Sequence, residues 1–341
     1  MMLHPSRILV LLILLATSGV ASAATRREVV VYISVDDIFA RPIAEQFTKS
    51  TGIEVKLVPD TKETKGTGLV NRLIAERGRP QADVFWSGDP VRAAILKLEG
   101  ISFAYRSLNA EGLPAGYNDP DGYWVGFSAR TRVILYNTTA VHKPPSSIFD
   151  LATDADLSGK ACIANPLFGT TSAQAAALFV VLGDKGGRNY FEGLSRNRIR
   201  MLSSNGEVGR RVSEADCAIG IVDSDDAYEA IKHKKPVGVV YPDEKGIGTL
   251  LIPNAAVLIA NGPDSAAGKK FIDYLLRPEV EQALAEGDAA QIPLRPNIKR
   301  PPHVPAVDKL TLMKVDYGRL AVEFNELSRG FLREWTARNH P

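Results

Sequence analysis

Between residues 28 and 88 the hydrophobic period switches back and forth, and that alternation restricts the fold more than any other feature of the chain. EVVVYISV (28–35) is a continuous, β-branched apolar run, the pattern of a strand buried on both faces of a parallel sheet. DDIFARPIAEQFTKS (36–50) then places Phe39, Ile43 and Phe47 at helical spacing, and Gly52 follows as a C-cap signal. IEVKLVP reads as a second strand, TKGTGLVNRLIAERG as a helix begun on glycines, and ADVFWSG (82–88) as a third strand. Strand, helix, strand, helix, strand is a doubly wound α/β unit.

A second α/β series follows. KACIANP and the end of RRVSEADCAIGIV read as strands, GTTSAQAAALFVVLG as a helix, and PVGVVYP as another strand. Two extended stretches flank this series, GYWVGFSARTRVILYNT (122–138) and GTLLIPNAAVLIANG (248–262), each long enough to cross from one lobe to another. SAAGKKFIDYLLRPEVEQALAEG holds helices broken at Pro278, and 305–338 reads as an amphipathic helical tail. At 341 residues the chain exceeds the roughly 250–300 at which one core stops growing. Two lobes are therefore expected: residues 24–125 plus 252–300, and 126–251 plus 301–341. Ligands of open α/β sheets bind beyond the carboxyl ends of strands, so both lobes would present such ends to one cleft.

Residues 1–23 combine Arg7, the apolar run ILVLLILLATSGV and an A-x-A arrangement at Ala21 and Ala23. That is a cleavable secretory signal, with an apolar core shorter than the ~20 residues of a membrane span. A soluble, exported protein is expected. Lysine and arginine number 41 against 39 acids, a balance that gives no broad field for nucleic acid or anionic membrane. Cys162 and Cys217 each lie in an apolar strand-like segment. Export permits a disulfide, but the expectation is two small buried hydrophobes. His142, His233, His303 and His340 are scattered, and neither H-E-x-x-H nor G-x-S-x-G occurs, so nothing marks an enzyme.

Candidate binding residues cluster at strand ends. In PLFGTTSAQAAAL, Gly169 permits a tight turn, and Thr170, Thr171 and Ser172 set hydroxyls beside the first-turn N–H groups, either an anion site or ordinary capping. CAIGIVDSDDAYEAI carries Asp223, Ser224, Asp225 and Asp226 where a strand meets a helix. Ser224 capping the helix with acids in its first turn, a hard-cation site formed by Asp225 and Asp226, and pairing with a ligand ammonium all remain open. Ser34, Asp36 and Asp37 follow the first strand; Trp86, Ser87 and Asp89 follow the third, with Trp86 expected as a cleft wall. Thr64–Gly68 forms a second glycine-rich helix start. Arg130 and Arg132 share one strand face, suited to bidentate anion pairing or to the surface. Tyr241 ends a strand near the second crossing and is the remaining phenol for the cleft.

VVVYISVDDIFARPIAEQFTKSTGIEVKLV, GRPQADVFWSGDP, WVGFSARTRVILYN and GIGTLLIPNAAVLI, followed by SAAGKKFIDYLLRPEVEQALAEG, resemble the bacterial extracellular solute-binding proteins of ABC importers, in the ferric-iron-transport branch. The resemblance spans nearly the whole mature chain. It implies a type II periplasmic binding fold, two lobes each a sheet flanked by helices and joined by two extended hinge segments. Such a protein closes on a small charged solute and hands it to an inner-membrane ABC permease; a monomer with no cofactor is expected. The branch includes binders of ferric iron, phosphorylated sugars and phosphonates. In its ferric members a segment matching GTTS holds the anion accompanying the metal, and two adjacent tyrosines bind iron where Asp225 and Asp226 stand here. Tyr241 alone does not restore that pair, so ferric iron remains one transported ligand to weigh beside a small anion. An exported α/β enzyme and a sensor for a membrane receptor are the competing classes.

Overall fold

A computed structural model describes residues 27–60 and 66–339. The expected leader at 1–23 and Thr64–Lys65 of the second glycine-rich start lie outside the described residues.

The first unit runs β1 (Glu28–Ile33), α1 (Asp37–Thr51), β2 (Glu54–Pro59), α2 (Thr67–Ala75), β3 (Val84–Ser87), α3 (Pro90–Leu98) and the short β4 (Ser102–Phe103). β1 pairs in parallel with β2 and β3. Alternation along β1 supplies both faces: Val29, Val31 and Ile33 pack with Phe47 of α1, while Tyr32 packs with Leu69 and Leu73 of α2. Helices therefore cover both sides of the strand, which is why it reads as unbroken apolar sequence. Gly52 closes α1 at φ 71°, the left-handed position that favours glycine.

β5 (Val125–Asn137) follows, then α4 (Asp150–Thr153), β6 (Ala161–Ala164), α5 (Gly169–Arg196), β7 (Arg200–Leu202), α6 (Asn205–Ser213), β8 (Ile219–Asp223), α7 (Ser224–Lys232) and β9 (Val237–Val240). β6 pairs in parallel with β7 and β8. α5 is broken at Gly183, whose φ 73° and ψ 167° are not helical. β10 (Leu251–Ile259), α8 (Ser265–Leu275), α9 (Pro278–Glu286), α10 (Tyr317–Arg329) and α11 (Phe331–Arg338) complete the chain. The expected helical tail is thus shorter than its sequence pattern, starting only at Tyr317, where Asp316 accepts from the Arg319 N–H, and broken at Gly330.

β5 joins the two units. Its residues 125–131 pair with β10, and its residues 132–137 pair with β8 and β9. β10 also pairs with β3, so the strand order reads β2-β1-β3-β10-β5-β8-β6-β7 among the described residues. At the change of partner the Arg132 N–H donates to Leu250 O, and Thr249 Oγ1 donates back to Arg132 O at 2.6 Å.

Cys162 and Cys217 are joined by a disulfide with Cα atoms 6.1 Å apart, which corrects the expectation of two unpaired thiols. Cys162 lies opposite Gly220 across the parallel β6–β8 ladder, so Cys217, just ahead of β8, falls within bridging range.

Candidate functional site

Five helices begin at one cleft of about 660 Å³, whose lining takes in residues 34–39, 88–89, 168–171, 203–206, 223, 225 and 226. These are the starts of α1, α3, α5, α6 and α7, each springing from the carboxyl end of a strand. A helix start directs unpaired N–H groups and a partial positive charge outward. Asp89 caps α3 and Ser204 caps α6. The starts of α1, α5 and α7 carry no side-chain cap, although Asp36 and Asp223 occupy the capping positions of two of them. At α5 the capping position is Phe168, which has no acceptor to offer, and Gly169 turns the chain at φ 55°.

Asp223 fails to cap α7 because its carboxylate is turned into a buried network. It receives Arg132 Nη1 at 2.6 Å, the Thr170 hydroxyl at 2.7 Å and Asn205 Nδ2 at 3.2 Å. Burial would raise this carboxyl, but Arg132 and Arg130 outweigh it and hold Asp223 below the usual carboxylate range. Arg132 is fully buried and spends its fork on Gln174, Thr170, Thr171 and Asp223. Thr171 in turn donates to Asn205 Oδ1 at 3.2 Å. Ser224 does not cap α7 either; its hydroxyl accepts from the Thr131 N–H at 3.2 Å.

Arg130 lines the cleft and is 8% exposed. Its Nη1 donates to Asp225 Oδ2 at 3.0 Å and its Nη2 to Gly88 O at 2.6 Å. The Nε–H has no hydrogen-bond acceptor; Asp223 Oδ2 stands 3.6 Å away. Burial works against the charge of Arg130, and Asp225 and Asp223 more than restore it, so the group stays protonated. A Cβ on Gly88 would sit 2.6 Å from Arg130 Nη2, which is why the guanidinium needs bare backbone there. Carboxylate oxygens of Asp223, Asp225 and Asp226 lie within 4.8 Å of one another, the donor type of a hard cation, but two arginines are already set against them. Neither arginine lies on the surface.

Of the sequence candidates, Ser34, Asp36, Arg130, Gly169, Thr170, Thr171, Asp223, Asp225 and Asp226 line this cleft. Ser34 Oγ also accepts from the Gly88 N–H at 2.8 Å. Besides Arg132 and Ser224, held in the network beneath the cleft, four candidates do not. Trp86 is wholly buried against Phe127 in the core, because helices cover both faces of β3. Ser87 turns its hydroxyl onto Asp89 O. Ser172 donates to Gly169 O and accepts from Arg92, pointing behind the helix start. Tyr241 is half-buried against the cluster around the disulfide. Asn205 was not anticipated, although SNGE (204–207), with Ser204 capping Glu207, is a legible helix start after a strand.

A family model for bacterial extracellular solute-binding proteins matches residues 42–311. Iron uptake protein A1 of Synechocystis sp. is 27% identical over 255 residues, covering 71% of this chain and 69% of its own. The probable ABC transporter periplasmic-binding protein y4fP of Sinorhizobium fredii is 30% identical over 295 residues, 82% of this chain and 78% of its own. A putative 2-aminoethylphosphonate-binding periplasmic protein of Salmonella typhimurium is 29% identical over 294 residues, 81% and 82%. The periplasmic binding protein AfuA from Actinobacillus pleuropneumoniae, solved with exogenous fructose-6-phosphate, superposes at a TM-score of 0.80 with 22% identity, over 92% of this chain and 98% of that one. That likeness is one of fold, the type II periplasmic binding architecture, and with the family match over most of its length the chain belongs to the bacterial extracellular solute-binding proteins.

Proposed function

We propose that this chain captures a small phosphonate- or phosphate-headed solute outside the cytoplasm and passes it to an inner-membrane ABC permease. As a member of its family it binds a solute and does not transform it. The observation that carries the head-group assignment is the uncapped start of α5: Phe168 at the capping position, Gly169 at φ 55°, and the helix start open to the cleft. Such a terminus is a built anion seat. A phosphonate class also agrees with the ligand in the name of the Salmonella relative. Ferric iron held by phenolates is disfavoured, because none of the described residues lining the cleft is a tyrosine. The acid cluster at 223–226 keeps a carboxylate-held metal as the second reading.

The lobe boundaries expected from the sequence are 125/126 and 251/252; β10 starting at Leu251 supports the second boundary, whereas β5 changes partners only after Thr131, which favours a first boundary at 131/132. The working form is taken as a monomer released from its leader. A thermal-shift panel of inorganic phosphate, alkylphosphonates, sugar phosphates and ferric citrate tests the head group. Ligand at about 100 times its Kd adds about 2.7 kcal/mol. Stabilisation by phosphonates or phosphate esters is expected; stabilisation by ferric citrate alone would transfer the assignment to iron.

A further inference from the structure

The cleft is walled by apolar side chains as well as charged ones. Ile38 and Phe39 line it from α1, and Phe168 lines it from the turn ahead of α5, so both units contribute. The core makes no use of Ile38 or Phe168. α1 turns Ile43 and Phe47 into the core, whereas Ile38 lies off that stripe and is 64% exposed. Phe168 is half-buried, and among the described residues neither it nor Ile38 belongs to any of the three apolar clusters. The backbone of Phe168 is held at both ends: its N–H donates to Asn165 O at 3.2 Å, and its O accepts from the Ser172 N–H at 3.3 Å. An aromatic residue on a fixed backbone therefore stands next to the open helix start, at a position where a polar capping residue is the rule. Apolar surface left outside the core and gathered at a cleft marks a ligand groove.

We propose that Phe168 and Ile38 are specificity-determining residues of the site, and that they select an apolar substituent, of the size of an aryl ring, on the anionic head of the solute. This rests on the anion-seat reading above and narrows it by what the head carries. A head seated at the start of α5 has Phe168 as the adjoining residue, and Ile38 meets the substituent from the other unit. Burying an apolar group there removes three wetted surfaces from water at once. A polar substituent in the same place would lose its water to side chains that offer no hydrogen bond, which is costly. The carboxylates of Asp223 and Asp225 do not compensate, since Arg132 and Arg130 already engage them. Because Phe168 and Ile38 belong to different units, the gain is complete only when the cleft is shut, so the substituent itself favours the closed form.

Isothermal titration with phenyl phosphate and with glycerol 3-phosphate, the same head on an apolar and on a polar substituent, tests this directly. Phenyl phosphate is expected to bind the unaltered protein more tightly, on the order of tenfold to a hundredfold, the range for burying a few carbon atoms. Titration at several temperatures should give it the more negative heat-capacity change, the mark of apolar burial. Ile38→Ser, a change at an exposed position, and Phe168→Ser should each lower the affinity ratio several-fold. Equal binding of the two esters, or tighter binding of glycerol 3-phosphate, overturns the proposal without any variant. A ratio unchanged in Ile38→Ser or in Phe168→Ser overturns it too. If neither ester, inorganic phosphate nor any phosphonate binds the unaltered protein, the head-group reading falls as well, so the two failures are told apart.

Discussion

Asp223 shows how one side chain can tie the joining strand to two helix starts from the floor of a cleft. Arg132 and Arg130 reach it from β5, Thr170 from α5 and Asn205 from α6. Replacing it by asparagine leaves Arg132 buried without its counter-ion, and breaking such a pair costs about 3–5 kcal/mol. Asp223→Asn should therefore lower the free energy of unfolding measured in urea by that amount, moving the midpoint down with the slope unchanged. The pH dependence has a definite sign. A carboxyl depressed in the folded state contributes stability that is complete above its unfolded value, about 3.9, and is lost as pH falls from there through the folded value. Part of the acid-side loss of stability below about pH 4 should be absent in Asp223→Asn. A variant as stable as the parent at pH 7 would show that the network is incidental.

At the scale of elements, what was legible followed from local patterning. β1 and α1 fall where apolar period and the Gly52 cap put them. The helix start at Gly169 was legible because a strand, a glycine and small hydroxyl residues are contiguous in sequence. What was not legible depends on neighbours far along the chain. Trp86 looked like a cleft wall because a strand's sequence does not say that helices close over both its faces. Arg130 and Arg132 could be placed on one face, but not their burial against Asp223. The disulfide was the largest miss, since its cysteines are 55 residues apart and meet only through the parallel pairing of β6 with β8. Those two strands launch α5 and α7, so the crosslink lies beneath two of the three uncapped helix starts. Closing a loop of that length is worth about 4 kcal/mol in the chain-entropy picture. The Cys162→Ala, Cys217→Ala double variant should lose stability of that order in guanidinium unfolding. Reductant should leave the native parent unchanged, because both sulfurs are fully buried; rapid reduction of the folded protein would contradict that.

For the whole molecule, the decisive property is that so little connects the two units near the cleft. β5 passes between them at Thr131–Arg132, and the incoming chain at Thr249–Leu250 is tied to it by the two hydrogen bonds at Arg132, so both crossings must turn together. α10 packs against α3 on one side and α5 on the other, and Arg92 of α3 reaches Ser172 of α5 at 2.9 Å, which restrains sliding more than rotation. Across the mouth, Tyr228 of α7 stacks on His303 at 4.3 Å, and Lys232, one turn on, pairs with Asp288. The Lys232–Asp288 pair is exposed and weak, as a reversible closure needs, because a solute shifts the balance only by its differential affinity for the closed form. Hinge closure is the expected response of such a frame. Small-angle scattering should show the radius of gyration contracting as the solute found by the thermal panel approaches saturation, and Lys232→Ala should speed solute release while leaving the unliganded envelope as it was. A scattering profile unmoved at saturation would mean that the cleft is filled without rotation, and that the paired crossing strands serve only as scaffold.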